Sequence, residues 1–253
     1  MSEIYREKPS KKVGIITFHG AHNYGSCLQA YALLNTINSM GYDAEIINFR
    51  TDNQKDQYSP LTKRKGVKYF LKNCYFFFHL KSRKKKYELF ETFISQYLVM
   101  GQREYKTLEE LECETFPYDY FICGSDQIWN TNPSDANDAY FLPFVKTSKV
   151  RIAYAPSFGA IKEIKKDSRI RGYLLQFDYL SVREESGKAL IRNLIGAEVP
   201  LLPDPTLLLS KAKWESLISE RIIQGDYILF YTLYATPRTI GAVRAISKKC
   251  RCL

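Results

Sequence analysis

Histidine, tryptophan and paired cysteines are scarce in this chain. Its 253 residues include three His, two Trp and six Cys. Cys27, Cys74, Cys113, Cys123, Cys250 and Cys252 form no C-x-x-C pair, and neither His19, His22 nor His79 stands beside one, which argues against a structural zinc site. No metal is therefore expected. No apolar run approaches the roughly 20 residues of a spanning helix, and the opening Met-Ser-Glu-Ile-Tyr-Arg-Glu-Lys is polar, unlike a signal peptide. A cytoplasmic protein is expected. There is no G-x-G-x-x-G fingerprint and no P-loop, which speaks against a dinucleotide. No Ser-His-Asp order, metal-ligand cluster or pair of glycosidase carboxylates stands out, no nucleic-acid module is recognisable, and repeats and low-complexity segments are missing.

What is present is a chain able to bury a core, 45% hydrophobic and 14% aromatic, with 19 Tyr and 15 Phe. The length fits one large domain or one domain plus part of another. The net charge of +10 favours anionic partners, namely phosphates, carboxylates, anionic lipid or nucleic acid, or serves solubility alone.

Hydrophobic periodicity orders the elements. The β-branched run Val13–Phe18 reads as a buried strand, the 3–4 spacing in Ser26–Met40 as a helix stopped by Gly41, and Ala44–Phe49 as a second strand. Together they make a right-handed βαβ unit. Thr51–Tyr58 reads as a polar loop. Residues 63–87, dense in Lys and Arg and interleaved with Phe and Tyr, read as basic amphipathic helices, followed by helices at Tyr87–Leu98 and Leu108–Leu111. Two roles fit the basic stretch: contact with an anionic membrane surface at its inner face, or a solvated helical insertion. Further strands are expected at Tyr118–Cys123, Val150–Ala155, Tyr179–Val182 and Val199–Leu202, and helices at Ala160–Leu175 and Glu184–Leu194. Asp204-Pro205 breaks the pattern ahead of a helix at Lys211–Ile218, a strand at Tyr227–Tyr234 and a helix at Pro237–Lys249. Alternating strands and helices imply an α/β, doubly wound, Rossmann-like parallel sheet. The expected organisation is a polar tail at 1–11, a Rossmann-like domain at 12–205 carrying a helical insertion at about 51–112, and at 206–253 a linker with the start of a second α/β domain.

In open parallel sheets, ligands bind outside the carboxyl ends of the strands. Four short polar or glycine-bearing loops follow strands and should emerge on one sheet edge: residues 19–26, 124–130, 156–159 and 183–186. The candidate binding set is Asn23, Tyr24, Gly25 and Ser26 from the first loop; Gly124, Ser125, Gln127 and Trp129 from the second; Ser157 and Phe158 from the third; and Arg183 and Glu184 from the fourth. Asp126 is the carboxylate suited to accept a hydroxyl proton, with the Trp129 face beside it for stacking on a sugar ring. Plainer roles stand beside these. Asn23 and Ser26 fit helix capping, as do Ser125 and Asp126; Trp129 fits the core; Arg183 fits an anion clamp or a surface pair with Glu184 or Glu185.

Five blocks carry a family resemblance. Val13–Gly25 running into Ser26-Cys27-Leu28-Gln29-Ala30-Tyr31-Ala32-Leu33 resembles the opening of the polysaccharide pyruvyl transferases. Gly124–Asn130, Tyr154–Gly159, Ser181–Gly187 and Asp204–Leu209 resemble their later blocks in the same order. The resemblance implies a two-domain architecture similar to the GT-B glycosyltransferases. It also implies transfer of pyruvate from phosphoenolpyruvate to two sugar hydroxyls as a cyclic ketal in cell-surface polysaccharide synthesis. No cofactor is implied, only phosphoenolpyruvate as donor substrate, and the partner would be a glycan or lipid-linked saccharide acceptor rather than nucleic acid. A basic, histidine-bearing donor site is expected from the second domain, of which this sequence holds only the first strand and helix, leaving the acceptor side here. Two other readings share the architecture: a glycosyltransferase using a nucleotide sugar, and a truncated, non-catalytic sugar-binding protein.

Overall fold

A computed structural model describes residues 11–132, 136–165, 168–218, 221–232 and 234–250. Residues 1–10 of the expected tail and Cys252 lie outside the described residues. The chain divides into two compact units, Met1–Leu209 and Ser210–Leu253.

In the first unit the elements run β1 (Lys12–Ile16), α1 (Tyr24–Ser39), β2 (Asp43–Ile46), α2 (Asp52–Tyr58), α3 (Val67–Phe77), α4 (Leu80–Tyr97), α5 (Leu108–Glu112), β3 (Tyr120–Cys123), β4 (Val150–Ala153), α6 (Arg169–Leu174), β5 (Tyr179–Leu180) and α7 (Glu185–Ile195). The strands form one parallel sheet in the order β2-β1-β3-β4-β5. This is the doubly wound, Rossmann-like arrangement. β1 and β3 are neighbours, Ile16 lying opposite Cys123, yet the chain leaves β1 toward β2 and leaves β3 toward β4. The crevice between their carboxyl ends is thus the switch point where open α/β sheets take ligands.

The core explains the order of elements. Val13, Ile15 and Ile16 of β1, Phe121 and Ile122 of β3, and Ala30–Leu34 of α1 are all buried. Trp129 lies at the centre of an aromatic cluster, stacked on Phe141 at 5.1 Å, tilted against Phe158 and edge-on to Phe177, its indole N–H donating to the Tyr140 carbonyl at 3.1 Å. The outer edge of β2 is covered by residues 98–105 through bonds such as Ile46 N–H to Val99 O and Arg50 N–H to Tyr105 O, which leaves no long exposed edge there.

Several expectations change. Residues 52–58 form the helix α2 rather than a polar loop: the Thr51 hydroxyl accepts from Gln54 N–H and Asp52 sits in the first turn, a capped and charge-matched start. The helix expected at 160–175 is confined to Arg169–Leu174, with residues 166–167 outside the described residues. β5 stops at Leu180, and the strand expected at Val199–Leu202 is reduced to a single parallel bridge, Val182 to Leu201. Pro200 and Pro203 flank that bridge, and proline cannot donate to a ladder. In the second unit α9 (Pro237–Cys250) forms close to its expected span, while α8 is confined to Lys211–Glu215 of the 211–218 expected. The strand expected at Tyr227–Tyr234 does not form among the described residues, Leu233 lying outside them. A strand requires a neighbour for its N–H and C=O groups, and no described segment of this unit provides one; Leu229 and Tyr234 stand exposed. No helix among the described residues is long and apolar enough to cross a membrane.

The helical insertion is tied to the sheet by a half-buried ionic cluster. Arg50, just after β2, grips Glu91 of α4 with two bonds, and Glu91 also accepts from His22 at 2.7 Å. His22 stacks flat on Phe90. Burial works against the Glu91 carboxylate, but the His22 and Arg50 hydrogen bonds outweigh it and hold its pKa at about 2. His19 is fully buried, bonded to Thr17 O and Asn48 Oδ1, and burial pushes its imidazole down to about 4.

Both groups have folded values below their free ones, 6.5 for His19 and 4.5 for Glu91. The unfolded chain therefore takes up protons first as pH falls. The stability these groups contribute is complete above pH 6.5, then is lost through 6.5 to 4 with His19 and through 4.5 to 2 with Glu91. One fully titrating site gives a slope of about 1.4 kcal/mol per pH unit, and Glu91 gives less because 32% of its side chain meets solvent. Urea unfolding between pH 7 and 4 should show this decline, and His19→Gln should flatten it; an unchanged slope in the variant would remove His19 from the account.

Candidate functional site

The site is assembled from four loops at the carboxyl ends of β1, β3, β4 and β5, each bonded to the next. The first enters α1. Asn23 is its N-cap, accepting from Gly25 N–H at 2.9 Å and Ser26 N–H at 3.4 Å. That occupies donors a helix N-terminus could otherwise offer to an anion. Ser26 is not a cap: its hydroxyl donates to Asp126 Oδ2 across the switch-point crevice.

One turn further along α1, the buried side chain of Gln29 bonds three elements. Its amide NH₂ donates to Thr17 Oγ1 at 2.9 Å and Ser26 O at 3.0 Å, and its carbonyl accepts Ser125 N–H at 2.9 Å. Thr17 Oγ1 in turn donates to Ser125 O at 3.3 Å. The chain of bonds continues across the sheet. Ser125 Oγ donates to Ala155 O at 2.6 Å, Ala155 N–H donates to Ser181 Oγ at 2.9 Å, and Ser181 Oγ donates to Ala153 O at 2.6 Å.

The second loop turns sharply. Gly124 has φ 123°, and a Cβ there would lie 2.1 Å from Tyr154 O, so only glycine fits between β3 and β4. The Gly124–Ser125 peptide is cis. Asp126 follows at φ 70°, a left-handed backbone uncommon outside glycine. Its Oδ1 accepts Gln127 N–H at 2.7 Å and its backbone carbonyl accepts Ser157 N–H at 2.9 Å. The carboxylate is half-buried and Gln127 is exposed. Each carboxylate oxygen thus takes one protein donor and keeps capacity for another.

The third and fourth loops close the set. Gly159 packs so closely on the second loop that a Cβ would sit 2.5 Å from Asn130 Nδ2. Glu184 Oε1 accepts Phe158 N–H at 3.0 Å. Arg183 pairs with Asp204 at 2.7 Å, and Asp204 also accepts from Thr206 N–H and Oγ1. The nearest oxygen of Glu184 lies 4.0 Å from Arg183.

The structure sorts the predicted residues. Asn23, Tyr24, Gly25, Ser26, Asp126 and Gln127 gather at the β1/β3 crevice, and Arg183 and Glu184 stand half-buried farther along the edge. Trp129 is corrected: it is wholly buried, so its ring has no face to stack on a sugar. Ser125, Ser157 and Phe158 are likewise buried, with polar groups spent inside the protein, and shape the loops from beneath. Tyr24 is 58% exposed and, with Cys27, Leu28, Leu89, Phe90 and Phe93, lines an apolar cavity of about 470 Å³ between α1 and α4. Sequence reasoning missed Gln29, Thr17, Ser181 and Asp204. Gln29 had a signal, a polar residue on the apolar face of a helix; Asp204 had one in its position ahead of a proline. Among the described residues no group of three or more His, Cys, Asp or Glu is placed to hold a metal ion.

The sequence profile of the polysaccharide pyruvyl transferases matches residues 23–241, most of the chain. The chain belongs to this family. No curated protein matches it. The match begins at the α1 N-cap and spans the loops after β3, β4 and β5 of this polysaccharide pyruvyl transferase family member.

Replacing Gln29 by Leu leaves the buried Ser125 N–H without its acceptor and Thr17 Oγ1 without its donor. A loss of about 1–3 kcal/mol is expected, read from urea unfolding at pH 7. A loss below about 0.5 kcal/mol, the range of an ordinary surface change, would show that the three-way bond holds nothing together.

Proposed function

We propose that this protein transfers a pyruvyl group from phosphoenolpyruvate to two hydroxyls of a polysaccharide or lipid-linked saccharide acceptor, and that the β1/β3 crevice holds the acceptor. Atoms balance without an oxidant or metal. One hydroxyl oxygen bonds to C2 of the enolpyruvate as C3 gains a proton, the C2–O bond to phosphate breaks, and the second hydroxyl oxygen takes its place. The two hydroxyl protons are accounted for by C3 and the departing phosphate. The protein must accept a proton from an attacking hydroxyl and stabilise charge on the phosphate.

The observation that carries the reading is the Asp126 carboxylate, held at the switch point in a left-handed backbone and bonded by the Ser26 hydroxyl. A sugar hydroxyl that displaces or joins Ser26 meets a carboxylate with acceptor capacity, oriented before the ligand arrives. Gln127 and Asn23 stand exposed in the same two loops. Arg183, neutralised by Asp204, serves to fix the fourth loop beside the cleft rather than to clamp an anion.

The test is phosphate release from phosphoenolpyruvate in the presence of candidate saccharides bearing vicinal or 4,6-related hydroxyls, with the ketal detected by mass. Asp126→Asn should lower kcat on the order of 100- to 10,000-fold with a smaller change in acceptor affinity. Turnover only with a nucleotide-sugar donor, or full activity in Asp126→Asn, would contradict the proposal.

A further inference from the structure

The helix α3 presents an unusual outer face. None of its residues is buried. Its inner side is secured: the Asn73 side chain exchanges two bonds with the Thr62 backbone, and the Arg83 guanidinium lies 3.5 Å over the Phe76 ring while bonding to Ser59 O and Pro60 O. Opposite that anchor, Val67, Phe70, Leu71, Tyr75, Phe77 and Phe78 are each 61–85% exposed. At 3.6 residues per turn they fall in one continuous arc of about 160°, with Cys74 inside it. Phe70, Phe77 and Phe78 also line an apolar recess of about 380 Å³ with Leu61. Side chains of this size are seldom left outward together without a partner.

The charge around the face selects the partner. From Lys63 to Lys86 the chain has ten Lys or Arg and no Asp or Glu. Lys68 and Lys72 follow Tyr75 directly around the helix, and Lys81, Lys84, Lys85 and Lys86 are exposed on the next one. A second copy of this chain, also at +10, would bring like charges together, which disfavours that contact. An anionic bilayer satisfies both features: aromatic side chains enter at the headgroup level and ammonium groups meet lipid phosphates.

We infer that α3 is a membrane-docking helix, lying in the plane of an anionic lipid surface with the Val67–Phe78 arc inserted and the 63–86 lysines on the headgroups. The inference is independent of the transferase reading, since it uses none of the cleft residues.

Co-sedimentation of the full chain with vesicles of phosphatidylcholine, with and without one-third phosphatidylglycerol, tests it. Binding should need the anionic lipid and weaken with salt. Lys68→Glu with Lys72→Glu should weaken it at least tenfold, given about fivefold per basic residue at such a surface, and Phe70→Ser with Phe77→Ser should do the same. A second measurement needs no destabilising change. With Cys27 and Cys123 buried and Cys113, Cys250 and Cys252 replaced by Ser, an environment-sensitive dye on Cys74, which is exposed and free, should shift to the blue on anionic vesicles. The same dye on Cys113 with Cys74 replaced should not. Equal binding to both vesicles, no binding, or an unshifted Cys74 dye would overturn the inference. A dimer in sedimentation velocity that Phe70→Ser/Phe77→Ser dissolves, without vesicle binding, would reassign the face to contact between copies.

Discussion

A glutamine amide inside the first helix connects the parts of this protein that would otherwise be independent. Gln29 reaches back to the end of β1 through Thr17, across to the turn after β3 through Ser125, and along its own helix to Ser26. It does so in a buried interior, where an unmet donor or acceptor is expensive. The bonds from Ser125 to Ala155 and on to Ser181 carry the same constraint to β4 and β5. Polar side chains, rather than apolar packing alone, therefore set how the four strand ends stand relative to one another. That precision matters because the sheet places its switch point between β1 and β3, where two loops from distant parts of the sequence must present their functional groups to one ligand.

The consequence is a division of labour along the sheet edge. Residues on the lower side of the loops are consumed in structure: Ser125, Ser157, Phe158 and Trp129 are buried, and Gly124 and Gly159 are where the backbone passes too closely for a side chain. What the scaffold leaves at the switch point is the half-buried Asp126 carboxylate, with the buried Ser26 hydroxyl behind it. A carboxylate held against a hydroxyl is suited to recognising alcohols, in keeping with the family to which the chain belongs. The insertion α2–α4 is joined to this scaffold through the Arg50–Glu91–His22 cluster, so a surface carried by α3 and α4 is coupled mechanically to the sheet.

The sheet was legible because its strands are short, mostly apolar runs bounded by Gly, Pro and polar turns; β1, β3 and β4 begin or end within a few residues of where periodicity places them. The location of the cleft was legible for a topological reason, since strand ends on one edge imply convergence before any contact is known. Three kinds of information were not. α2 starts from a Thr cap and has no apolar stripe, so periodicity cannot detect it. Trp129 could be read as a sugar platform or as core, and only the packing of Phe141, Phe158 and Phe177 around it decides for the core. Arg183 reads equally as an anion clamp or as a partner of Glu184 or Glu185, but Asp204, 21 positions on, pairs with it; the long-range return of the chain after α7 determines that pairing.

The central claim is that the β1/β3 switch point holds the acceptor saccharide through Asp126. A crystal structure of the protein with an acceptor saccharide bound tests it most directly. The account predicts a sugar hydroxyl oxygen within hydrogen-bonding distance of an Asp126 carboxylate oxygen, with Ser26 either sharing that oxygen or rotated away from it. A saccharide bound at another surface, with the Ser26–Asp126 bond intact and no sugar oxygen near it, would contradict the account.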